Sequence, residues 1–496
     1  MYEEWGKAMP DDVIIGREKE LEILESALES HSAKFIAVYG RRRVGKTYLI
    51  KQFFSKQNGV FFELTGANEG ALKTQLKNFS EELSKSFYEG AAMAIQDSWM
   101  DALKQLTIAI DKINKNKRVI LFFDELPWLA SRKSGFLSAL EYFWNTHWTY
   151  RKKLILIVCG SAASWMLEKV VYTKGGLHNR ISDHILLKPF NLHEVQLYLK
   201  HQKHELTEQQ ILQLYMVTGG VPHYLSKIKK NLSVTQNIDA LCFDKGGLLF
   251  NEFDQLFHSL YEEPEIYISI IRNIAKKASG ISRDELIEKL DSISTGGRLT
   301  KKLTNLEHSG FITHFVPMEH ARKGFHYKIT DEYVLFYLSW IEPYRKKTRG
   351  SLGGYWTTLR HTPAWHTWAG YAFEAVCFKH IESIIQALKI EKIHSDFGSW
   401  IYAPKKGQEE QGTQIDLLFD RDDDSITLCE IKHTEKVFSI TKSYIKELKN
   451  KKIIYQEKTK TKKQIFWCLV TSNGVVENDY FKELAADTVS VADLFK

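Results

Sequence analysis

Cysteine is scarce in this 496-residue chain: Cys159, Cys242, Cys377, Cys429 and Cys468, with no C-x-x-C pair among them. Most lie in apolar runs, which fits reduced core thiols better than disulfides or zinc ligands. The 18 histidines show no metal-ligand spacing. No apolar run approaches the roughly 20 residues of a membrane span, and residues 1–12 are acidic and mixed, unlike a secretory leader. The sequence therefore predicts a cytoplasmic protein without a membrane partner. Internal repeats and low-complexity segments are also missing. Charge is not one-sided either: a net +7 permits an acidic partner such as nucleic acid without requiring one. What is present is a 44% apolar composition, enough for real cores in about three or four domains.

The most informative segment is the apolar run Phe35-Ile36-Ala37-Val38-Tyr39 followed by Gly40-Arg41-Arg42-Arg43-Val44-Gly45-Lys46-Thr47. A strand, a G-x-x-x-x-G-K-T loop and a helix from Lys46 to Phe54 form a phosphate cradle. Glycines let backbone N–H groups turn toward a polyphosphate, Lys46 reaches the terminal phosphates, and Thr47 can hold Mg2+ at the positive end of the helix. The candidate nucleotide contacts run from Gly40 through Thr47 to Tyr48.

Continuous apolar runs at Val60–Leu64, Val119–Phe123 and Leu154–Cys159 predict buried parallel strands. The second ends in Asp124-Glu125, placing two carboxylates at the sheet edge where such folds bind ligands. Asp124 is the candidate for Mg2+, and Glu125 is the candidate that polarises the attacking water. Either acid could instead cap the helix beginning at Leu126. Ser161, after the third run, is a candidate γ-phosphate sensor or the N-cap of a helix over Ala162–Glu168. Arg180 could supply a guanidinium to the transferring phosphoryl group or serve the loop alone.

Before the P-loop, Ile14 to Leu21 opens an amphipathic helix. Residues 191–230 read as helices broken at Gly219-Gly220-Val221-Pro222. Three helical segments, Ile266–Lys277, Arg283–Leu290 and Arg298–His308, precede two strands, Phe311–Val316 and Gly324–Ile329, the order of a winged helix. The third helix carries Arg298, Lys301, Lys302 and Asn305, either a DNA-reading face or an ordinary solvated one.

Ile15-Gly16-Arg17-Glu18-Lys19-Glu20-Leu21, the P-loop, Asp124-Glu125 and Gly219-Gly220-Val221-Pro222 together resemble the archaeal-type ATPases, relatives of the AAA+ and STAND groups. Over residues 10 to about 345 the resemblance implies a five-stranded α/β ATPase core, a helical lid carrying the Gly-Gly-x-Pro element, and a winged helix.

After a linker expected at Thr348–Gly354, the pattern is a helix (His366–Leu388), strands at Ser399–Ala403, Gln414–Asp420 and Ile426–Lys432, a helix (Thr441–Lys449) and a strand (Gln464–Thr471). Period two puts Ile415, Leu417 and Phe419 on one face and Asp416 on the other, while Glu430 and Lys432 share a face. Converging carboxylates bind Mg2+ or Mn2+, and the lysine stabilises developing charge, as in phosphodiester cleavage. Glu374 is a further candidate carboxylate because it sits on a largely apolar helical stripe with Phe378, Ile381 and Ile385. A cross-strand ion-pair cluster is the alternative. This half resembles the PD-(D/E)XK, restriction-endonuclease-like superfamily through Asp416 and Glu430-Ile431-Lys432, with Gln414-Ile415 where a proline would precede the acid.

Between Lys442 and Lys463 nine lysines face only Glu447 and Glu457. Such a run is either a solvated surface or a phosphate-contacting one. The expected organisation is an α/β ATPase core (1–190), a helical lid (191–262), a winged helix (263–345) and a nuclease-like α/β domain (350–496). The expected function is Mg-dependent ATP hydrolysis coupled to DNA, with metal-dependent cleavage or, alternatively, an ATP-driven oligomerising switch with a non-catalytic C-terminal module. A homo-oligomer is compatible with either.

Overall fold

The computed structural model describes residues 13–496 apart from 69, 132, 173–178, 278–279, 291–296, 316–324, 348–353, 403, 405–411 and 485. The expected linker lies almost wholly outside the described residues. The chain forms two compact units, one ending at Pro189 and one running from Phe190 to Lys496.

The first unit is built on five parallel strands: β1 (Lys34–Tyr39), β2 (Gly59–Thr65), β3 (Arg118–Asp124), β4 (Leu154–Gly160) and β5 (Asp183–Leu186), in the order β2-β3-β4-β1-β5. β3 and β4 read as unbroken apolar runs because both faces are covered. Phe35, Ala37, Leu121, Phe123, Leu156 and Val158 face a core closed by helices Leu72–Phe87, Trp99–Lys112 and Phe136–Thr146. Ile36, Val38, Ile120, Phe122, Ile155 and Ile157 face helices Glu18–Glu29 and Lys46–Phe54.

The second unit opens with helices Leu192–His201, Glu208–Thr218, Pro222–Leu225, Val234–Cys242 and Glu252–Leu260. Asn191, Thr207 and Ser233 start three of them with reciprocal capping boxes. Helices Pro264–Ala275, Arg283–Glu288 and Gly297–His308 then pack with a small antiparallel sheet of β6 (Ile281–Ser282), β7 (Ile312–Phe315) and β8 (His326–Ile329), ordered β6-β8-β7.

The last sheet is mixed: β9 (Ser395–Tyr402), β10 (Thr413–Arg421), β11 (Ser425–Lys432), β12 (Gln464–Thr471) and β13 (Asp487–Ser490), lying in the order β13-β12-β11-β10-β9. β9-β10-β11 are antiparallel, and β11-β12-β13 are parallel. The long helix expected over His366–Leu388 is two, Pro363–Lys379 and Ile381–Ala387, divided at His380. The helix expected to end at Lys449 continues to Thr459, so most of the lysine run lies on one helix.

Candidate functional site

The candidate nucleotide site is assembled where β1, β3 and β4 end. Gly40 has φ 144°, and a Cβ there would collide with the Leu187 carbonyl, so only glycine lets the chain leave β1 this close to the strand beside it. Gly45 (φ 95°) then caps helix Lys46–Phe54 in a left-handed conformation. Between them Arg17, itself buried in a left-handed turn, donates from Nη2 to the Val44 carbonyl (3.3 Å). The sequence reading places Arg17 in the lead-in segment and in the Ile15–Leu21 motif, without a role at the P-loop. The signal that could have found it is an arginine beside Gly16 just before an apolar stripe.

Lys46 is buried, and its Nζ donates to the carbonyls of Gly40 and Arg41 and to Ser161 Oγ, each at 3.0 Å. Ser161 Oγ donates in turn to Glu125 Oε1 (2.8 Å), and its amide to Glu125 Oε2 (3.3 Å). Ser161 does not cap the next helix, whose N-cap is Ala162. Because β4 lies between β1 and β3, its terminal serine can bridge the P-loop lysine and the β3 acid. Thr47 Oγ1 donates to Asp124 Oδ2 (2.7 Å), while Asp124 Oδ1 accepts from the Glu125 amide (2.9 Å). Glu125 holds a left-handed backbone (φ 47°) and makes no cap bond from its side chain. Arg41 is buried, Arg42 and Arg43 are half-buried, and Tyr48 is exposed. Arg180 lies exposed in a turn.

A hydroxyl and a carboxylate in contact, both oxygen donors, fit a Mg2+ ion's hard-ligand chemistry. A buried lysine whose donors rest on loop carbonyls has acceptors it can exchange for phosphate oxygens.

The second candidate site lies in the C-terminal sheet. Here β10 carries a bulge between Ile415 and Leu418, so Ile415 and Leu418, rather than Ile415 and Leu417, share the core face toward helix Lys442–Thr459. The extra residue breaks the expected alternation and re-aims Asp416. Asp416 Oδ2 accepts from the Ile431 amide of β11 (3.0 Å). Glu430 is almost wholly buried, and its oxygens accept from Tyr444 (2.7 Å), Lys432 (2.8 Å) and Lys451 (3.0 and 3.1 Å).

Burial, then Glu430, pushes Asp416 up to about 6. Burial, then Asp416, pushes Glu374 up to about 7. Glu430 goes the other way: although burial opposes it, Lys432 and Lys451 hold it below the ordinary carboxylate range. Among the described residues no group of three His, Cys, Asp or Glu side chains is arranged to hold a metal ion. With both Glu430 oxygens taken by ammonium and phenol donors, this cluster does not fit a divalent ion in the form described.

The basic surfaces are partly spent internally. Arg298 and Lys302 both pair with Glu263 (3.3 and 2.7 Å), and Asn305 donates to the Tyr267 hydroxyl (2.8 Å). Lys302 is buried and Asn305 half-buried, while Arg298 and Lys301 are exposed. In the lysine run, Lys449 pairs with Glu483, Lys451 with Glu430 and Lys463 with Asp420; Lys452 donates to the Ile465 carbonyl, and Lys458 lies over the Tyr402 ring. Lys442, Lys446, Lys460 and Lys462 are exposed.

The parallel sheet and its loop define a P-loop nucleotide-binding ATPase domain. Residues 14–228 match the family described as an ATPase domain predominantly from Archaea, and residues 337–453 match one described as archaeal and bacterial proteins of unknown function. An uncharacterized protein of Methanocaldococcus jannaschii is 27% identical over 428 residues, 84% of this chain and 86% of its own. An uncharacterized ATP-binding protein of the same organism is 47% identical over 45 residues, 9% of this chain and 76% of its own. Among solved structures, a Walker-type ATPase of Pyrococcus abyssi is similar at 20% identity and TM-score 0.46, covering 66% of this chain and 96% of that one. Among the described residues no helix is long and apolar enough to cross a membrane.

Proposed function

We propose that this chain is a Mg2+-dependent ATP hydrolase whose second unit engages DNA. The observation that carries the reading is the continuous chain Lys46–Ser161–Glu125 beside the Thr47–Asp124 pair. Thr47 and Asp124 would hold Mg2+, which supplies charge neutralisation on the polyphosphate. Lys46 exchanges its bonds to the Gly40 and Arg41 carbonyls for phosphate oxygens. Glu125 is the group that orients the attacking water, and Ser161 positions it by holding both its oxygens. Lys46→Ala is expected to lose ATP binding. Glu125→Gln should retain binding and lose at least about a hundredfold in turnover. Equal hydrolysis by wild type and Lys46→Ala in a coupled-phosphate assay would overturn the assignment.

We read helices Pro264–Ala275, Arg283–Glu288 and Gly297–His308 with β7 and β8 as a winged helix, and the C-terminal sheet as a nuclease-like module. DNA as partner is supported by the four exposed lysines rather than by Arg298, Lys302 or Asn305. The occupied oxygens of Glu430 favour a module that binds over one that cleaves, and with it the alternative of an ATP-dependent oligomerising switch. Light scattering with and without Mg-ATP separates these: a mass unchanged by nucleotide removes the switch.

A further inference from the structure

The parallel sheet of the first unit has a second concave end. Gln57, Asn58, Asn116, Lys117, Arg118 and Lys153 line a cleft of about 620 Å3 where β2, β3 and β4 begin. Lys153 fastens its wall: in a left-handed backbone (φ 61°), its carbonyl accepts the Val119 amide (3.1 Å) and its Nζ donates to the Asn116 carbonyl (3.3 Å). Arg118 opens β3 and Asp124 closes it, so a strand length of about 20 Å separates this cleft from the P-loop end. The segments that meet here, residues 52–62, 112–123 and 146–160, contain no Asp or Glu. No acid of their own therefore answers their lysines and arginines. A cation that serves only a helix end rests on its last carbonyls. Arg151 does so, donating from Nη2 to the carbonyls of Ile113 (2.9 Å) and Asn114 (3.3 Å). Arg118 does not: its guanidinium has no hydrogen bond or ion pair among the described residues, although its Nη1 is buried. Buried donors are ordinarily given an acceptor. Burial pushes the Arg118 pKa down, as expected of a charge held without a partner.

We propose that this cleft binds a phosphate group, at a site separate from the P-loop: the Arg118 fork takes two of its oxygens, and Lys117 and Lys153 neutralise the remaining charge. The side-chain amides of Gln57, Asn58 and Asn116 line the same cleft and offer donors and acceptors to whatever carries the phosphate. A free small anion and a nucleic-acid backbone present the same oxygens, and the two probes below tell these carriers apart. The inference does not depend on ATP hydrolysis at Lys46.

The test is the rate at which Lys117 and Lys153 are acetylated in the full chain, read by peptide mass spectrometry. The probes are inorganic pyrophosphate without Mg2+ and a short single-stranded oligonucleotide. At about ten times its dissociation constant, a bound probe should slow modification of both lysines about tenfold. Protection by pyrophosphate identifies a free anion as carrier, and protection by the oligonucleotide alone identifies a backbone. Lys46→Ala should be protected as well as wild type, because the P-loop is not involved. Arg118→Met should lose protection. Should that variant fail to fold, Arg118→Lys, which keeps the charge without the fork, decides in its place and should be protected less than wild type. Protection by neither probe, loss of protection in Lys46→Ala, or full protection in the Arg118 variant would each overturn the proposal.

Discussion

His380 shows how a single side chain joins segments far apart in sequence. Its Nδ1 donates to the Val376 carbonyl (2.8 Å), which fixes the tautomer and leaves Nε2 to accept the Leu192 amide at a helix start (3.0 Å). Burial pushes its pKa down to about 4, and it does the same to His433. The fold therefore prefers neutral imidazoles. Their stabilisation is complete above the ordinary histidine value of about 6.5 and is lost as pH falls from there toward 4. Urea midpoints between pH 7 and pH 4 should fall by an amount equivalent to at most about 3 kcal/mol per histidine. His380→Ala should lower stability at pH 7 yet make that slope shallower, while His433 supplies the remainder. Gly220 is a second such position. With φ 70° and its Cβ direction filled by the Phe190 carbonyl, Gly220→Ala should cost at least about 2 kcal/mol in denaturant unfolding.

Among elements, helix Lys442–Thr459 shows why a run of like charge is ambiguous in sequence. Its inner lysines serve the sheet below, and Lys451 answers the buried Glu430. Lys442, Lys446, Lys460 and Lys462 remain on the surface. Changing these four to serine should reduce the slope of log affinity for DNA against log salt by about 3 to 4, with stability nearly unchanged. An unchanged slope would place the phosphate contacts elsewhere. Strand β10 teaches the complementary lesson. One extra residue shifts its register by a single position, so an alternation read from Ile415 to Phe419 assigns Leu417 to the wrong face.

At the scale of the whole molecule, the proposed nucleotide site lies in the unit ending at Pro189, whose loop, sheet and acids are contained within it. A ligand that binds only the folded form stabilises it by mass action, about 2.7 kcal/mol at a hundred times its dissociation constant. Calorimetry should therefore show Mg-ATP raising one transition in the wild type and none in Lys46→Ala. A shift of equal size in the variant would place the nucleotide elsewhere.

The linear chain determined the strands and the phosphate loop, because continuous apolar runs and a glycine-lysine-threonine spacing are local patterns with local physical meaning. Asp124 and Glu125 were legible for the same reason: each is fixed by the strand end that carries it. Tertiary structure alone decided what those groups touch. Ser161 bridges Lys46 and Glu125 only because β4 lies between β1 and β3. Arg17 supports the P-loop from 27 residues upstream. The hairpin lysine Lys328 reaches Ser399 on β9, 71 residues further along, and no periodicity announces it. Such contacts depend on strand order, register and bulges, which arise when distant segments compete to bury the same apolar faces and satisfy the same buried charges.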